Sequence, residues 1–460
     1  MTSEKLRQFN WTHHGSALAL AALFGPKLRF AVEPRMWYQW DGTRWKPLAV
    51  GDVNELAVRT VKAQRAAWME DGLDVEVAGK AQRHFLRGED QGNNEKIVKM
   101  ASLLPALRVS VTEFDGDLMK IGTQNGEIDL RTGAFSPPNP LSHLTLSINA
   151  LFDPEARAPR WERFVQEVFD GDEEQIDYIQ RAFGYSLTGS VEEQLFFICV
   201  GEGANGKSTL LNVVREVMGG YAKATPFTTF DAKSRNEQTN DLARLMGARY
   251  VTIIETGEES YLSEAKIKQA TGGDPITCRF LNKEFFEYVP QYKIWMAANR
   301  PPNISGTDHG TLRRPVIIHF NRKFSEGERN PYLQDQLLAE RSGILNWLLE
   351  GLKKWHGHKL GIRVPKVIQE SKREFQEEMD ILGQWLRACT QQAEPVFFER
   401  SEDLYASYQA YVKMIGHRPK AMKHWGMDMK NRFEKTRDSK GIQYRGIALV
   451  ENWPQELPVR

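Results

Sequence analysis

Gly201-Glu202-Gly203-Ala204-Asn205-Gly206-Lys207-Ser208 is the stretch of this chain that decides its fold, because it completes the pattern G-x-x-x-x-G-K-[ST]. The residues before it, 195–200, are a continuous apolar run of the kind that forms a buried parallel strand. The residues after it, 209–215, have the pattern of a helix. Strand, glycine-rich loop and helix in this order predict a phosphate loop that binds a nucleoside triphosphate in an α/β domain.

The residues of this loop have distinct predicted roles. Glycines allow backbone N–H groups to curl around the β- and γ-phosphates, and the start of the helix adds positive potential. Lys207 is predicted to neutralise the phosphates, and Ser208 to ligate Mg²⁺. The residues predicted to contact the nucleotide are Gly201, Gly203, Ala204, Asn205, Gly206, Lys207, Ser208 and Thr209.

A second apolar run, 250–254, is followed by the acidic residue Glu255. A carboxylate at the end of a strand beside the phosphate loop can hold Mg²⁺ through water and polarise the attacking water. Glu255 is therefore predicted to be the Walker-B acid, and a solvated acidic turn is the alternative. Glu258 and Glu259 follow closely, and the sequence leaves open which of the three is the general base.

Two further polar features flank later apolar runs. Asn299 follows the predicted strand 293–298, where an amide can hydrogen-bond the γ-phosphate or the attacking water. It is predicted to be a sensor, and a strand-end Asx turn is the alternative. Arg313 and Arg314 precede the apolar run 315–320, and one of them is predicted to be an arginine finger that reaches a neighbouring subunit's γ-phosphate. A solvated strand edge is the alternative.

Composition sets limits on the class of protein. A length of 460 residues suggests about three domains, and 41% hydrophobic residues allow several cores. The formal net charge is +1, so any polyanion site must come from local clustering of cations. Three widely separated cysteines argue against a zinc ribbon or a disulfide framework and favour a reducing compartment. No apolar run approaches the roughly 20 residues that span a bilayer, so a membrane protein is not expected.

Changes in pattern along the chain predict its organisation. Residues 1–150 are predicted to form an N-terminal domain, with a β-hairpin around Asp41-Gly42 and structural rather than nucleobase-binding tryptophans at 37, 40 and 45. Residues 151–190 have helical periodicity and form a lead-in. Residues 191–360 are predicted to be the ATPase domain.

Residues 375–460 are predicted to form a C-terminal domain. Its amphipathic helices are followed by a basic segment that includes Lys430 and Lys435, and then by 441–449, which alternates like a pair of strands. Helices followed by a basic hairpin suggest a winged helix, in which these lysines would contact the phosphates of duplex DNA. A small capping domain with a solvated face is the alternative.

The phosphate loop and the motifs after it resemble the superfamily 3 helicases of phages, plasmids and DNA viruses, in particular the helicase portion of the poxvirus-type and phage/plasmid primase-helicases. The segments that carry the resemblance are 201–208, 256–259, 267–277 with Arg279, 284–288, Asn299 and Arg313-Arg314, and upstream 125–133 and 183–189. Many members have two adjacent Walker-B acids, whereas Thr256 follows Glu255 here, as in the poxvirus-type branch.

The resemblance implies an α/β fold. Its parts are an AAA+ type P-loop ATPase core, an N-terminal α+β helicase-associated domain and a C-terminal winged-helix-like domain. It also implies a hairpin in the central pore, on which Lys283, and with less support Arg279, would grip DNA; a solvated loop charge is the alternative for Lys283. Primase activity is not expected, because the segment before the ATPase resembles the helicase-associated region.

The resulting hypothesis is a homo-oligomeric ring, hexameric by resemblance. With ATP and Mg²⁺, it moves 3′ to 5′ along one DNA strand in the replication of a mobile element. It would work in the cytoplasm of a bacterium or phage-infected host and would be compatible with a separate primase partner. One rival is an initiator or loader in which ATP only switches the oligomeric state. A monomeric P-loop kinase is a second rival, which Asn299 and the two arginines argue against.

Overall fold

In the computed structural model, the residues described are 1–70, 74–232, 239–254, 261–304, 309–394, 396–417, 419–439 and 441–450. They form an N-terminal unit, a central unit and a C-terminal unit, and each unit contains hydrophobic core of its own. Among the described residues, no helix is both long enough and apolar enough to cross a bilayer. Cys199, Cys278 and Cys389 are free thiols and are buried.

The N-terminal unit packs helices against a four-stranded sheet of order β3-β2-β1-β4. Its elements are α1 (Ser3–Arg7), α2 (His13–Phe24), β1 (Leu28–Ala31), β2 (Met36–Trp40), β3 (Trp45–Leu48), α3 (Val50–Ala67), α4 (Val75–Arg87), α5 (Gln91–Ala101) and β4 (Arg108–Val109). The predicted hairpin is β2–β3. Asp41 shapes its turn by accepting hydrogen bonds from the N–H groups of Thr43 and Arg44, at 2.7 and 2.9 Å. Trp40 and Trp45 pair across it and are buried, as expected for core residues.

A three-stranded antiparallel meander and two helices connect this unit to the central sheet. They are β5 (Lys120–Gly122), β6 (Glu127–Asp129), β7 (Phe135–Ser136), α6 (Pro159–Val168) and α7 (Glu173–Ser186). Ile121 and Ile128 of the meander belong to the same hydrophobic core as α6, α7 and one face of the central sheet. The meander therefore packs with the central unit, although it lies within the 1–150 span predicted as one domain.

The central unit contains a five-stranded parallel sheet of order β16-β8-β14-β10-β9. The elements of this unit are β8 (Phe196–Val200), α8 (Lys207–Met218), β9 (Ala222–Thr225), α9 (Asn240–Ala243), β10 (Tyr250–Ile254), β11 (Tyr261–Leu262), α10 (Glu264–Gly272), β12 (Ile276–Cys278), β13 (Phe286–Tyr288), β14 (Lys293–Ala298), β15 (Asn303–Ile304), α11 (His309–Leu312), β16 (Pro315–His319), α12 (Leu333–Ala339), α13 (Arg341–Gly357) and α14 (Lys366–Met379).

Helices cover both faces of this sheet, so its central strands are apolar throughout. Phe197 and Cys199 of β8 pack with α7, α8 and α13, whereas Phe196, Ile198 and Val200 pack with α10 and α14. A strand buried on both faces reads as a continuous apolar run rather than an alternating one. Because the strands are parallel, the ends of β8, β10 and β14 that lead into Gly201, Glu255 and Asn299 lie at one edge, here named the carboxyl edge.

The C-terminal unit surrounds a core that includes Trp385 and Trp425. Its elements are α15 (Ile381–Cys389), β17 (Thr390–Gln392), β18 (Phe398–Arg400), α16 (Ser401–Met414), α17 (Met422–Lys430), β19 (Lys435–Asp438), β20 (Gly441–Arg445) and β21 (Ile447–Leu449). The two strands predicted within 441–449 are present as β20 and β21, but they do not pair with each other. β20 lies between β18 and β19, whereas β21 pairs with β17, because Gly446 at φ +76° turns the chain between them.

Candidate functional site

The predicted phosphate loop joins β8 to α8 and has the backbone shape of an anion cradle. Gly203 and Gly206 have φ values of +81° and +80°, which side chains disfavour. At Gly206 a Cβ atom would also lie 2.7 Å from Val168 and 3.3 Å from Phe164, so α6 packs directly on the loop. Gly206 is therefore required by both the backbone turn and the helix packed on it, whereas Gly203 is required by the turn alone.

Lys207 is the first residue of α8 and lies in the mouth of the loop, with 6% of its surface exposed. Its Nζ donates hydrogen bonds to the carbonyl oxygens of Gly201 and Ala298, at 2.7 and 2.9 Å. Burial lowers the pKa of its ammonium group. Because backbone carbonyls are weaker partners than phosphate oxygens for a partly desolvated cation, Lys207 is poised to exchange them for a polyphosphate.

The rest of the loop fits the same ligand. Asn205 is buried and donates from Nδ2 to the Phe320 carbonyl at 3.3 Å, which fixes the loop to the end of β16. Ser208 is exposed at the first turn of α8, where a hydroxyl can reach a cation bound to the phosphates. Among the described residues there is no cluster of three or more His, Cys, Asp or Glu side chains.

Asn299 lies beside the phosphate loop at the carboxyl edge. Ala298 pairs with Val200 in the parallel ladder, so Asn299 and Gly201 follow neighbouring strand ends. The Asn299 side chain is exposed there. Glu255, Glu258 and Glu259 lie outside the described residues, and their roles stay predictions.

Sequence reasoning missed a segment after β16 that closes one side of the loop. The N–H of Phe324 donates to the Ala204 carbonyl at 2.8 Å. Arg322 forms ion pairs with Asp170, in the turn between α6 and α7, at 3.4 Å, and with Glu328 at 2.9 Å. No spacing pattern identifies these residues, because their partners are distant in sequence.

Arg313 and Arg314 lie at the opposite edge of the sheet from their own phosphate loop. β16 pairs with β8 in parallel from Pro315–Phe196 to His319–Val200. Its five residues separate the arginines from the carboxyl edge by roughly 16 Å, at about 3.3 Å per residue. Both arginines therefore lie far along the sheet from the phosphate loop of their own chain.

The two arginines differ in their surroundings. Arg314 is 8% exposed, and it donates to the Gly310 carbonyl at 3.0 Å and to the Thr271 hydroxyl at 2.7 Å. Arg313 is half-buried and hydrogen-bonds the side chain of Gln194. The side chain of Arg314 is thus part of the interior of its own subunit, whereas Arg313 is closer to the surface.

The four predicted DNA-binding residues lie in two places. Arg279 and Lys283 are exposed on the loop between the antiparallel strands β12 and β13. Lys430 ends α17 and Lys435 begins β19, and both are exposed on the C-terminal unit. The structure thus separates the predicted single-strand grip from the predicted duplex contact.

Two parts of the chain match known protein-family models, and the chain is similar to a viral protein. Residues 17–170 match the model "D5 N terminal like", and residues 199–314 match a "Family of unknown function (DUF5906)". A protein named as a candidate helicase in Acanthamoeba polyphaga mimivirus is 27% identical over 289 residues, which is 58% of this chain and 30% of that protein. The chain is thus similar to proteins of large DNA viruses that are named as candidate helicases or primases.

Two other similar proteins are also viral and are named as a candidate helicase and a candidate primase. A candidate helicase of Invertebrate iridescent virus 3 is 22% identical over 382 residues, 74% of this chain and 40% of that protein. A candidate primase of African swine fever virus is 29% identical over 194 residues, 41% of this chain and 18% of that protein. The chain thus spans less than half the length of each of these relatives.

Solved structures share the fold. Two apo structures of the NrS-1 C-terminal region superpose with TM-scores of 0.52 and 0.51 at 12% identity. The alignments cover 94% and 92% of this chain, and 99% and 96% of those chains. At this identity the likeness concerns the fold alone.

Proposed function

We propose that this chain is an ATP-dependent DNA helicase that assembles into a ring and moves 3′ to 5′ along one strand during replication of a phage, plasmid or other mobile element. The observation that carries the proposal is the phosphate loop, in which the ammonium of Lys207 bridges the ends of β8 and β14 beside Asn299. The strand order β16-β8-β14-β10-β9 supports an AAA+ type core.

Each group at the carboxyl edge has one step to perform. Lys207 binds the β- and γ-phosphates and offsets their charge. Ser208 ligates Mg²⁺, which would supply charge neutralisation at the transferring phosphoryl group. Asn299 hydrogen-bonds the γ-phosphate or orients the attacking water. Glu255 is our candidate for activating that water.

Hydrolysis would be coupled between subunits. Because Arg313 and Arg314 are roughly 16 Å along the sheet from their own loop, an arginine finger on this edge acts on a neighbour's ATP. We assign the finger to Arg313, since Arg314 is already bonded to Thr271 and Gly310.

Two DNA contacts complete the proposal. The exposed Lys283 on the β12–β13 hairpin would hold the translocated strand in the pore. The C-terminal unit has the element order α15-β17-β18-α16-α17-β19-β20-β21, with β20 between β18 and β19, which supports a winged helix. Its exposed Lys430 and Lys435 would contact duplex phosphates.

The second candidate is an initiator or loader that uses ATP only to change its oligomeric state. The observation that favours it is the C-terminal unit with a separate core, which can bind duplex DNA without any motor step. Both candidates require the phosphate loop, so they differ in processive unwinding rather than in ATP binding.

The ATPase claim is tested with Lys207→Ala. We expect its ATP turnover, with and without single-stranded DNA, to fall by at least about a hundredfold while its circular dichroism spectrum stays that of the folded wild-type protein. Lys366→Ala is the matched control, because that lysine is 88% exposed at the start of α14. Wild-type turnover in Lys207→Ala would contradict the assignment of the loop.

A further inference from the structure

The loop between β12 and β13, residues 279–285, exposes large apolar side chains at its tip. Leu281 and Phe285 are 66% and 57% exposed, and Phe280 is 38% exposed. Together they form an apolar tip, a name used here for these three side chains. Apolar surface that stays in water costs about 25 cal/mol per Å² relative to the same surface when buried. A cluster of exposed apolar side chains therefore indicates a binding surface.

The apolar tip is held by a fixed backbone. The N–H of Lys283 donates to the Phe280 carbonyl at 3.0 Å, and Asn282 has a φ of +59°, so the turn is tight. The N–H of Arg279 donates to the Thr239 hydroxyl at 2.9 Å, and the N–H of Leu281 to the Asn240 side chain at 3.3 Å. Contacts with the start of α9 thus support the loop while its apolar side chains face solvent.

The base of the hairpin is also anchored. Ile276 and Cys278 are buried, and the hydroxyl of Tyr288 donates to the Leu242 carbonyl at 2.7 Å. The ring of Phe280 stacks on that of Phe286, with centroids 5.6 Å apart. The hairpin therefore presents Leu281 and Phe285 from a rigid support.

The charges around the apolar tip favour one kind of ligand. The guanidinium of Arg279 lies 4.6 Å from the ring centroid of Phe285 and covers one face of that ring. Lys283 is exposed on the same loop, and Glu284 is the exposed acid beside it. Flat apolar faces next to cations match a nucleic acid strand whose bases are unpaired, because bases stack on aromatic rings while phosphates meet the cations.

We propose that the apolar tip binds the unpaired bases of single-stranded nucleic acid, with Phe285 as the stacking surface and Leu281 beside it. This inference rests on the proposed function and adds to it a contact with bases, beyond the phosphate contact of Lys283. Duplex DNA is excluded as the ligand of the tip, since its base faces are covered by neighbouring base pairs.

The test compares two strands of equal length, an oligothymidine and the same sugar–phosphate chain with abasic sites. We expect the full-length wild-type protein, with a non-hydrolysable ATP analogue, to bind the oligothymidine about tenfold more tightly. Phe285→Ala and Leu281→Ala each lose most of this preference while binding the abasic strand as wild type does. Leu141→Ala is the matched control, because Leu141 is 76% exposed and lies outside the hairpin.

Other outcomes separate this inference from the function on which it rests. If both tip variants bind oligothymidine as tightly as wild type, the inference of a contact with bases is wrong. In that case, weaker binding of both strands by Lys283→Ala would still support a contact between Lys283 and the phosphates. If the tip variants instead change the sedimentation coefficient and weaken both strands equally, the tip packs between copies of the chain and the inference is overturned. If wild type binds neither strand, the helicase proposal fails as well.

Discussion

Arg313 and Arg314 are adjacent residues with different chemical surroundings, and their variants are expected to differ. Arg313→Ala should lose at least about tenfold in ATP turnover while binding ATP normally, because an arginine finger stabilises charge that develops on a neighbour's nucleotide. Arg314→Ala removes the donors to Thr271 and Gly310, so we expect it to lower the free energy of unfolding by about 1–3 kcal/mol. Turnover, nucleotide binding and urea denaturation measure the three effects. Wild-type hydrolysis by both variants would rule out a finger at either position.

Site residues that directly follow a recognisable strand can be predicted from the sequence. Lys207 and Asn299 follow strands whose apolar runs are visible in the chain, so their meeting at the carboxyl edge is predictable from parallel pairing. Phe324 and Arg322 are not predictable in this way. Their partners, Ala204 and Asp170, are brought to them by the return of the chain after β16.

Two buried cations from the central sheet bind backbone carbonyls at and just after the C-terminus of α7. Arg249, at the start of β10, donates to the carbonyls of Leu187 at 2.8 Å and Lys120 at 2.9 Å. Lys293, at the start of β14, donates to the carbonyls of Thr188 and Ser190. Both side chains are 1% exposed, and burial lowers the pKa of each. Cations suit this position because the last carbonyls of a helix carry partial negative charge.

These contacts predict a large stability cost. Arg249→Ala removes the side-chain donor to three backbone carbonyls, those of Leu187, Asp117 and Lys120, so we expect a loss of about 2–4 kcal/mol in the free energy of unfolding, measured by urea denaturation. Arg215→Ala is the control, because its ion pair with Glu216 is partly exposed to solvent and should contribute less than about 1 kcal/mol. Equal stability of the two variants would show that these contacts are not needed.

The two basic positions of the C-terminal unit belong to different elements but to one predicted surface. We expect the double variant Lys430→Ala, Lys435→Ala to bind duplex DNA about tenfold more weakly and to reduce the slope of log affinity against log salt by about 2. Fluorescence anisotropy over a salt series measures both. The pair Lys80→Ala, Lys366→Ala is the control, since these exposed lysines lie in other units. An unchanged salt slope would remove the lysines from the DNA interface.

The elements themselves were largely predictable, and their pairing less so. Apolar runs identify β8, β10, β14 and β16, because strands buried on both faces need no polar alternation. Residues 441–449 alternate as strands do, yet β20 and β21 pair with different partners. Alternation specifies which face of a strand is buried and carries no information on the strand beside it.

At the scale of the whole molecule, the proposed function uses two opposite edges of the central sheet. ATP would bind at the carboxyl edge, and Arg313 lies at the other. In the proposed assembly, a head-to-tail arrangement of identical subunits would bring the two edges together, and such contacts form a ring where the rotation between subunits closes. The sequence could not reveal that Ile121 and Ile128 share a core with the central sheet, because hydrophobic pattern identifies a buried face but not what covers it.

Strand displacement on forked DNA tests the central claim most directly. Forks with either a 3′ or a 5′ single-stranded tail are incubated with wild-type protein or Lys207→Ala, in the presence of ATP or a non-hydrolysable analogue. We predict that only the wild type with ATP separates the strands, and only on the fork with a 3′ tail. Displacement that needs a 5′ tail would contradict the polarity, and fork binding without displacement would contradict the motor in favour of an initiator or loader.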